Sequence, residues 1–143
     1  MTYATSAWER TVKVISEQKI FDVQVDDHLK KTKQDHLPQA ALIKGVLDTL
    51  IEGEALEEAY MRGSFSYGVA DELSDVDLFV VVDPENLVTA YEAATEYLKE
   101  NYPIIVGCHD RLVKDYGGIG FMFICDNGEG SLTQLDLYFA LKG

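Results

Sequence analysis

Residues 62–82 read RGSFSYGVADELSDVDLFVVV, and this stretch decides the fold. Its second half, Val76 to Val82, is dense in β-branched and aromatic residues, the composition of a buried strand. Side chains two apart on a strand share a face, so Asp75 and Asp77 project together from the strand's start. A rise of ~3.3 Å per residue separates their carboxylates by on the order of 6–7 Å. Two like charges at the mouth of a buried strand are costly unless something offsets them. A divalent cation does so, because Mg²⁺ takes oxygen ligands, commonly carboxylates together with substrate phosphates. A spacer of about ten residues separates this pair from Gly63-Ser64. Glycine lets a backbone approach a phosphate closely. Ser64 adds a hydroxyl and, if a helix begins there, an N-cap beside amides that attract anions. The expectation is one small site, with phosphates at Gly63-Ser64 and metal at Asp75 and Asp77.

The combined pattern Gly63-Ser64, Gly68, Asp71 and Ser74-Asp75-Val76-Asp77 resembles the nucleotidyltransferase superfamily that includes DNA polymerase β. It looks most like the antibiotic (aminoglycoside and lincosamide) nucleotidyltransferases. The wider likeness runs from about residue 40 onward. The resemblance implies a strand just before Gly63, over about Glu58 to Arg62. It also implies a third metal-site carboxylate on a later strand, which selects Asp136. By periodicity alone Asp136 points to the solvent side of an edge strand, with Leu135 and Leu137 inward. Asp126 and Asp110 are its rivals and lie in turn or loop sequence.

The implied chemistry is two-metal transfer of a nucleoside monophosphate from an NTP to an acceptor hydroxyl, releasing pyrophosphate. Asp75 and Asp77 would hold the Mg²⁺ of the triphosphate, and Asp136 would join them at a second ion. Gly63, Ser64 and Ser74 would bind the nucleotide. Arg62 or Lys44 is available as added positive charge. Related antibiotic enzymes often carry a basic residue just after Gly-Ser, where this chain has Phe65-Ser66-Tyr67, and Tyr67 is expected to pack.

The whole chain fits this reading. Its 143 residues suit one domain with a core. No apolar run reaches membrane-spanning length, and no signal peptide is apparent. Cys108 and Cys125 lack metal-ligand spacing and read as reduced thilols of a cytoplasmic protein, partly buried. Twelve basic residues face twenty-five acidic ones, a net charge of −13. Proteins that grip a nucleic-acid backbone carry basic stripes, so a template-using polymerase or RNA-tailing enzyme is disfavoured. A small or cationic acceptor fits better, although acidity also serves plain solubility, and the resemblance implies a hydroxylated, antibiotic-like compound. The histidines His28, His36 and His109 form no ligand pattern and read as surface or loop residues.

In chain order, the pattern predicts a short helix over 5–19 and a connector over 20–37 with a helical stretch around Asp27 to Lys33. A strong helix runs from Gln39 to about Ile51, with Pro38 in its first turn and Gly45 permitting close packing. Ser64 to about Asp71 is a short helix. Residues 85–101 form an amphipathic helix and Ile104 to Val106 a strand. His109 to Tyr116 reads as loop, and Gly117, Gly118 and Gly120 as flexible backbone. Phe121 to Cys125 and Leu132 to Leu141 form a hairpin around Asn127-Gly128. The fold class is α/β (α+β), a mixed sheet of about five strands flanked by helices. Residues 1–55 are expected to be a helical segment packed on a core domain of residues 56–143. The acceptor pocket then needs residues 1–55, a second copy in a homodimer, or a further helical domain or partner protein. The alternative function is a single-domain antitoxin-like module that binds or modifies a helical protein.

Overall fold

The computed structural model describes residues 22–110 and 118–141, with side chains described over 25–107 and 118–141. The helix expected over 5–19 lies outside these residues. Helix α1 (Asp22–Lys31) occupies the expected connector and starts earlier than the helical stretch anticipated there. Val25 and Leu29, four apart, bury one face of it. It ends where Lys33 adopts a left-handed conformation (φ 59).

Helix α2 (Pro38–Glu52) buries Leu42, Ile43, Val46, Leu47 and Leu50, with Pro38 in its first turn. Strand β1 (Glu58–Arg62), helix α3 (Gly63–Tyr67) and strand β2 (Val76–Val82) follow. A 3₁₀ turn at Pro84–Asn86 leads into helix α4 (Leu87–Asn101). Strands β3 (Ile104–Asp110), β4 (Gly118–Asp126) and β5 (Leu132–Leu141) complete the described chain. Gly45 of α2 lies under the Tyr97 ring of α4, and a methyl there would overlap the Tyr97 hydroxyl. The expected close packing at this glycine is therefore present.

The sheet has five strands in the order β1-β2-β5-β4-β3. β2 and β5 are parallel, and every other neighbouring pair is antiparallel. This is the mixed, helix-flanked α+β architecture the sequence predicts. Some boundaries differ. The helix after Gly63 stops at Tyr67 because Gly68 takes a left-handed cap (φ 76). β3 extends through Asp110, into expected loop. Gly118 is no flexible hinge: it pairs with Ala140, and a Cβ would collide with the Phe139 carbonyl.

Alternation along β2 sorts the sheet into two faces. Val76, Leu78, Val80 and Val82 join Leu135, Leu137 and Phe139 of β5 and the apolar faces of α2 and α4 in the main core. Each such buried aliphatic side chain contributes about 1.5–3 kcal/mol. Phe79 and Val81 belong to a smaller cluster with Tyr60 and Ala140, against which Tyr138 packs. Asp75 and Asp77 alternate onto this second face. Among the described residues no helix is long and apolar enough to cross a membrane.

Candidate active site

The antiparallel register of β1 and β2 pairs Arg62 with Asp77. The chain leaves β1 at Gly63, whose φ of +73° favours glycine, and a Cβ here would stand 2.7 Å from Asp77 Oδ2. The turn therefore lies directly against the carboxylate only because residue 63 has no side chain. Ser64 falls inside the first turn of α3, while Arg62 takes the cap position without a side-chain cap bond. The expected Ser64 N-cap is thus not formed. Its Oγ is instead buried with no hydrogen-bond partner.

Asp77 and Asp136 are register partners on the parallel pair β2–β5. Asp75, Asp77 and Asp136 each offer a carboxylate oxygen, and these lie within 4.8 Å of one another. That is closer than backbone spacing along one strand predicts, because the side chains converge. Asp75 is exposed, Asp77 half-buried and Asp136 buried, with 7% of its surface accessible. The solvent-facing alternative for Asp136 does not hold: β5 is a central strand, flanked on both sides.

Burial pushes the Asp136 carboxyl up to about 7. The Gln134 hydrogen bond opposes the rise, and Asp77 and Asp75 add to it. Gln134 Nε2 reaches Asp136 Oδ2 at 3.1 Å and Oδ1 at 3.3 Å. Asp77 is also raised, by burial first and Asp75 next, against the lowering effects of the hydrogen bond with Asp136 and the charge of Arg62. Both shifts favour a protonated carboxyl in this pair when no cation is bound. Beyond the acids, Phe79 and Tyr138 stack at 4.9 Å, and the Arg62 guanidinium lies 5.6 Å from the Phe79 ring centre.

The remaining expected residues sit as follows. Ser74 Oγ accepts from the Asp71 amide (2.9 Å) and contacts Asp71 Oδ1 (3.2 Å), closing the turn before Asp75. Lys44 pairs with Asp48 on α2 at 3.4 Å. Tyr67 was expected to pack but is 73% exposed. Phe65 takes the inward position of the single helical turn, and a residue two further along points away from it. His28 belongs to α1 and its Nε2 donates to the Phe65 carbonyl at 2.9 Å, so it is more than a surface residue. Burial pushes the Cys125 thiol up to about 11, in keeping with an inert buried cysteine.

Sequence reasoning missed Gln34 and Gln39. Gln34 bonds to Phe65 and Ala70, and Gln39 to Asp71 and Ser74. A polar residue at a position of the Gln39–Leu42–Val46 face was the available signal.

The family model of the nucleotidyltransferase domain matches residues 42–114. That span holds Gly63, Ser64, Asp75 and Asp77, while Asp136 lies beyond it. Among solved structures, the complex of Cid1 with its short product ApU is 18% identical, with a TM-score of 0.49 over 98% of this chain and 38% of that one. The crystal structure of Cid1 poly(U) polymerase is 21% identical, with a TM-score of 0.46 over 97% of this chain and 37% of that one. A cytoplasmic RNA terminal U-transferase is 20% identical, with a TM-score of 0.42 over 94% and 35%. The chain thus spans well under half the length of each. No curated protein matches it.

Proposed function

The chain belongs to the nucleotidyltransferase domain family, and we propose that it transfers a nucleoside monophosphate from an NTP to an acceptor hydroxyl with release of pyrophosphate. The convergence of Asp75, Asp77 and Asp136 beside the unpartnered Ser64 hydroxyl carries this reading. Three carboxylates form an all-oxygen donor set suited to Mg²⁺, and a cation offsets their mutual repulsion. Asp75, Asp77 and Asp136 would hold one or two such ions, which when bound supply Lewis-acid activation of the acceptor and neutralise charge on the entering and leaving oxygens.

The chain's own residues do the rest. Ser64 Oγ, buried without a partner, is a donor available to a phosphate oxygen. Gly63 keeps the backbone of the turn open to that phosphate. Arg62 places a positive charge near Asp77 and limits the repulsion there. Ser74 holds the turn from which Asp75 projects and belongs to the nucleotide-binding set through that turn. Asp136 sheds its proton to become a ligand.

The acceptor in this reading is a small hydroxylated molecule, neutral or cationic. A net charge of −13 supports it, since a long polyanion is repelled. The motif's likeness to antibiotic-modifying enzymes places aminoglycoside- and lincosamide-like compounds first among acceptors to screen. A cytoplasmic location accords with the reduced, buried Cys125. The test incubates the chain with Mg²⁺ and each α-labelled NTP, against a panel of amino sugars and a short RNA oligonucleotide. Label transferred to an amino sugar supports the reading. Label transferred to RNA alone replaces the small acceptor. Neither transfer nor Mg·NTP binding overturns the activity.

A further inference from the structure

The segment between the two halves of the site, Phe65 to Ser74, has little packing of its own. Phe65 is its one fully buried anchor, while Tyr67, Val69 and Leu73 are all largely exposed. It also turns through the left-handed Gly68. A stretch of this kind needs another source of rigidity if Ser64 at one end and Asp75 at the other are to keep their places.

Two buried amides supply it. Helix α1 ends in a Schellman pattern, with Gln34 N bonded to Leu29 O and Lys33 N to Lys30 O, and the left-handed Lys33 turns Gln34 inward. Gln34 Nε2 donates to the Phe65 carbonyl at 2.9 Å and to Thr32 Oγ1 at 2.7 Å, and its Oε1 accepts from the Ala70 amide at 3.0 Å. One side chain thereby spans the left-handed turn at Gly68. Gln39, in the first turn of α2 and fully buried, donates Nε2 to the Asp71 carbonyl at 2.9 Å and the Ser74 carbonyl at 3.0 Å. Reversing that amide would set Oε1 against two carbonyl oxygens, so its orientation is fixed even though Oε1 has no partner.

We propose that Gln34 and Gln39 are positioning residues of the active site: they hold the Phe65–Ser74 segment so that Ser64 and Asp75 face one nucleotide. The inference rests on the nucleotidyl-transfer reading above. It also ties residues 34–39 to the site, across the domain boundary expected near residue 55.

The test uses Gln34→Met and Gln39→Met, which keep approximate volume and remove the hydrogen bonds. Leu50→Ala serves as a control that destabilises the core of α2 and leaves the Gln34 and Gln39 hydrogen bonds in place. Binding of Mg·NTP is measured by calorimetry below the melting range of every variant, and amide exchange is measured without nucleotide. Both Met variants are expected to lose roughly tenfold or more in affinity, whereas folded Leu50→Ala keeps wild-type affinity. Exchange should rise at Val69, Ala70 and Ser74 and stay unchanged across β4 and β5. Unchanged exchange in the segment overturns the proposal whatever the nucleotide result. Wild-type affinity in both Met variants overturns it while leaving the functional reading intact. Absence of binding by the wild type overturns the functional reading, and the positioning role with it.

Discussion

Asp77 and Asp136 stand side by side on the parallel strands at the centre of the sheet, and burial together with their mutual repulsion raises the Asp136 carboxyl. Asp136 is raised from 3.8 to about 7 on folding, so the native state binds a proton over a pH range in which the unfolded chain has released it. Its contribution to the stability of the metal-free protein is therefore full below about pH 4 and is lost as pH rises through about 7. The loss is on the order of 2–4 kcal/mol. Asp136→Asn retains a donor toward Asp77 and carries no charge. Urea melts in EDTA from pH 4 to 8 should show a downward slope in the wild type that the variant lacks. Parallel slopes would refute the raised Asp136 carboxyl.

The double variant Asp75→Asn/Asp77→Asn removes two of the three carboxylates in the cluster. Calorimetry with Mg²⁺ and NTP should show affinity at least about a hundredfold weaker than wild type, on the scale of losing charged metal ligands. Without metal the variant should be as stable as wild type or more so, because repulsion is relieved. A folded variant that still binds Mg·NTP with wild-type affinity would place the nucleotide elsewhere.

Gly63→Ala and Gly45→Ala separate site strain from core strain. At residue 63 a Cβ meets Asp77 Oδ2 at 2.7 Å in a left-handed backbone, and the cost is about 1–2 kcal/mol. Nucleotide affinity should fall by roughly tenfold with it. At residue 45 the added methyl displaces the Tyr97 ring, costing about 1–3 kcal/mol with no change in affinity. Equal affinities in the two folded variants would show that Gly63 has no special place in the site.

Lys33 holds a left-handed conformation without being glycine. Lys33→Gly should raise stability by about 0.5 kcal/mol, the relieved strain outweighing the added freedom of the unfolded chain. Chemical denaturation measures this directly. A loss of stability would mean that the Lys33 side chain makes a compensating contribution.

Most of the fold is legible in the sequence because its strongest elements are periodic. The α2 face from Leu42 to Leu50 and the run Val76 to Val82 are examples. The Asp75–Asp77 pair is legible for the same reason, since alternation alone aims both at one face. Asp136 is not, because its orientation depends on β5 lying between β2 and β4, a pairing no local pattern encodes. Tyr67 misleads because α3 is one turn long, and Phe65 fills the inward place. Gln34 and Gln39 escape notice because their acceptors are backbone carbonyls some thirty residues away in sequence. Such bonds exist only once tertiary structure has formed.

The strand order also dictates how this molecule comes into being. A ribosome delivers β1 and β2 early, then β3 and β4, and only afterwards the strand that must slot between the two hairpins. Until residues 132–141 emerge, the nascent polypeptide displays two of its three carboxylates and an unfilled seam. Joining that seam closes a long loop, a slow event compared with local pairing. The five-stranded sheet and the three-carboxylate cluster are thus completed by the same strand, and a translation product truncated before β5 lacks both.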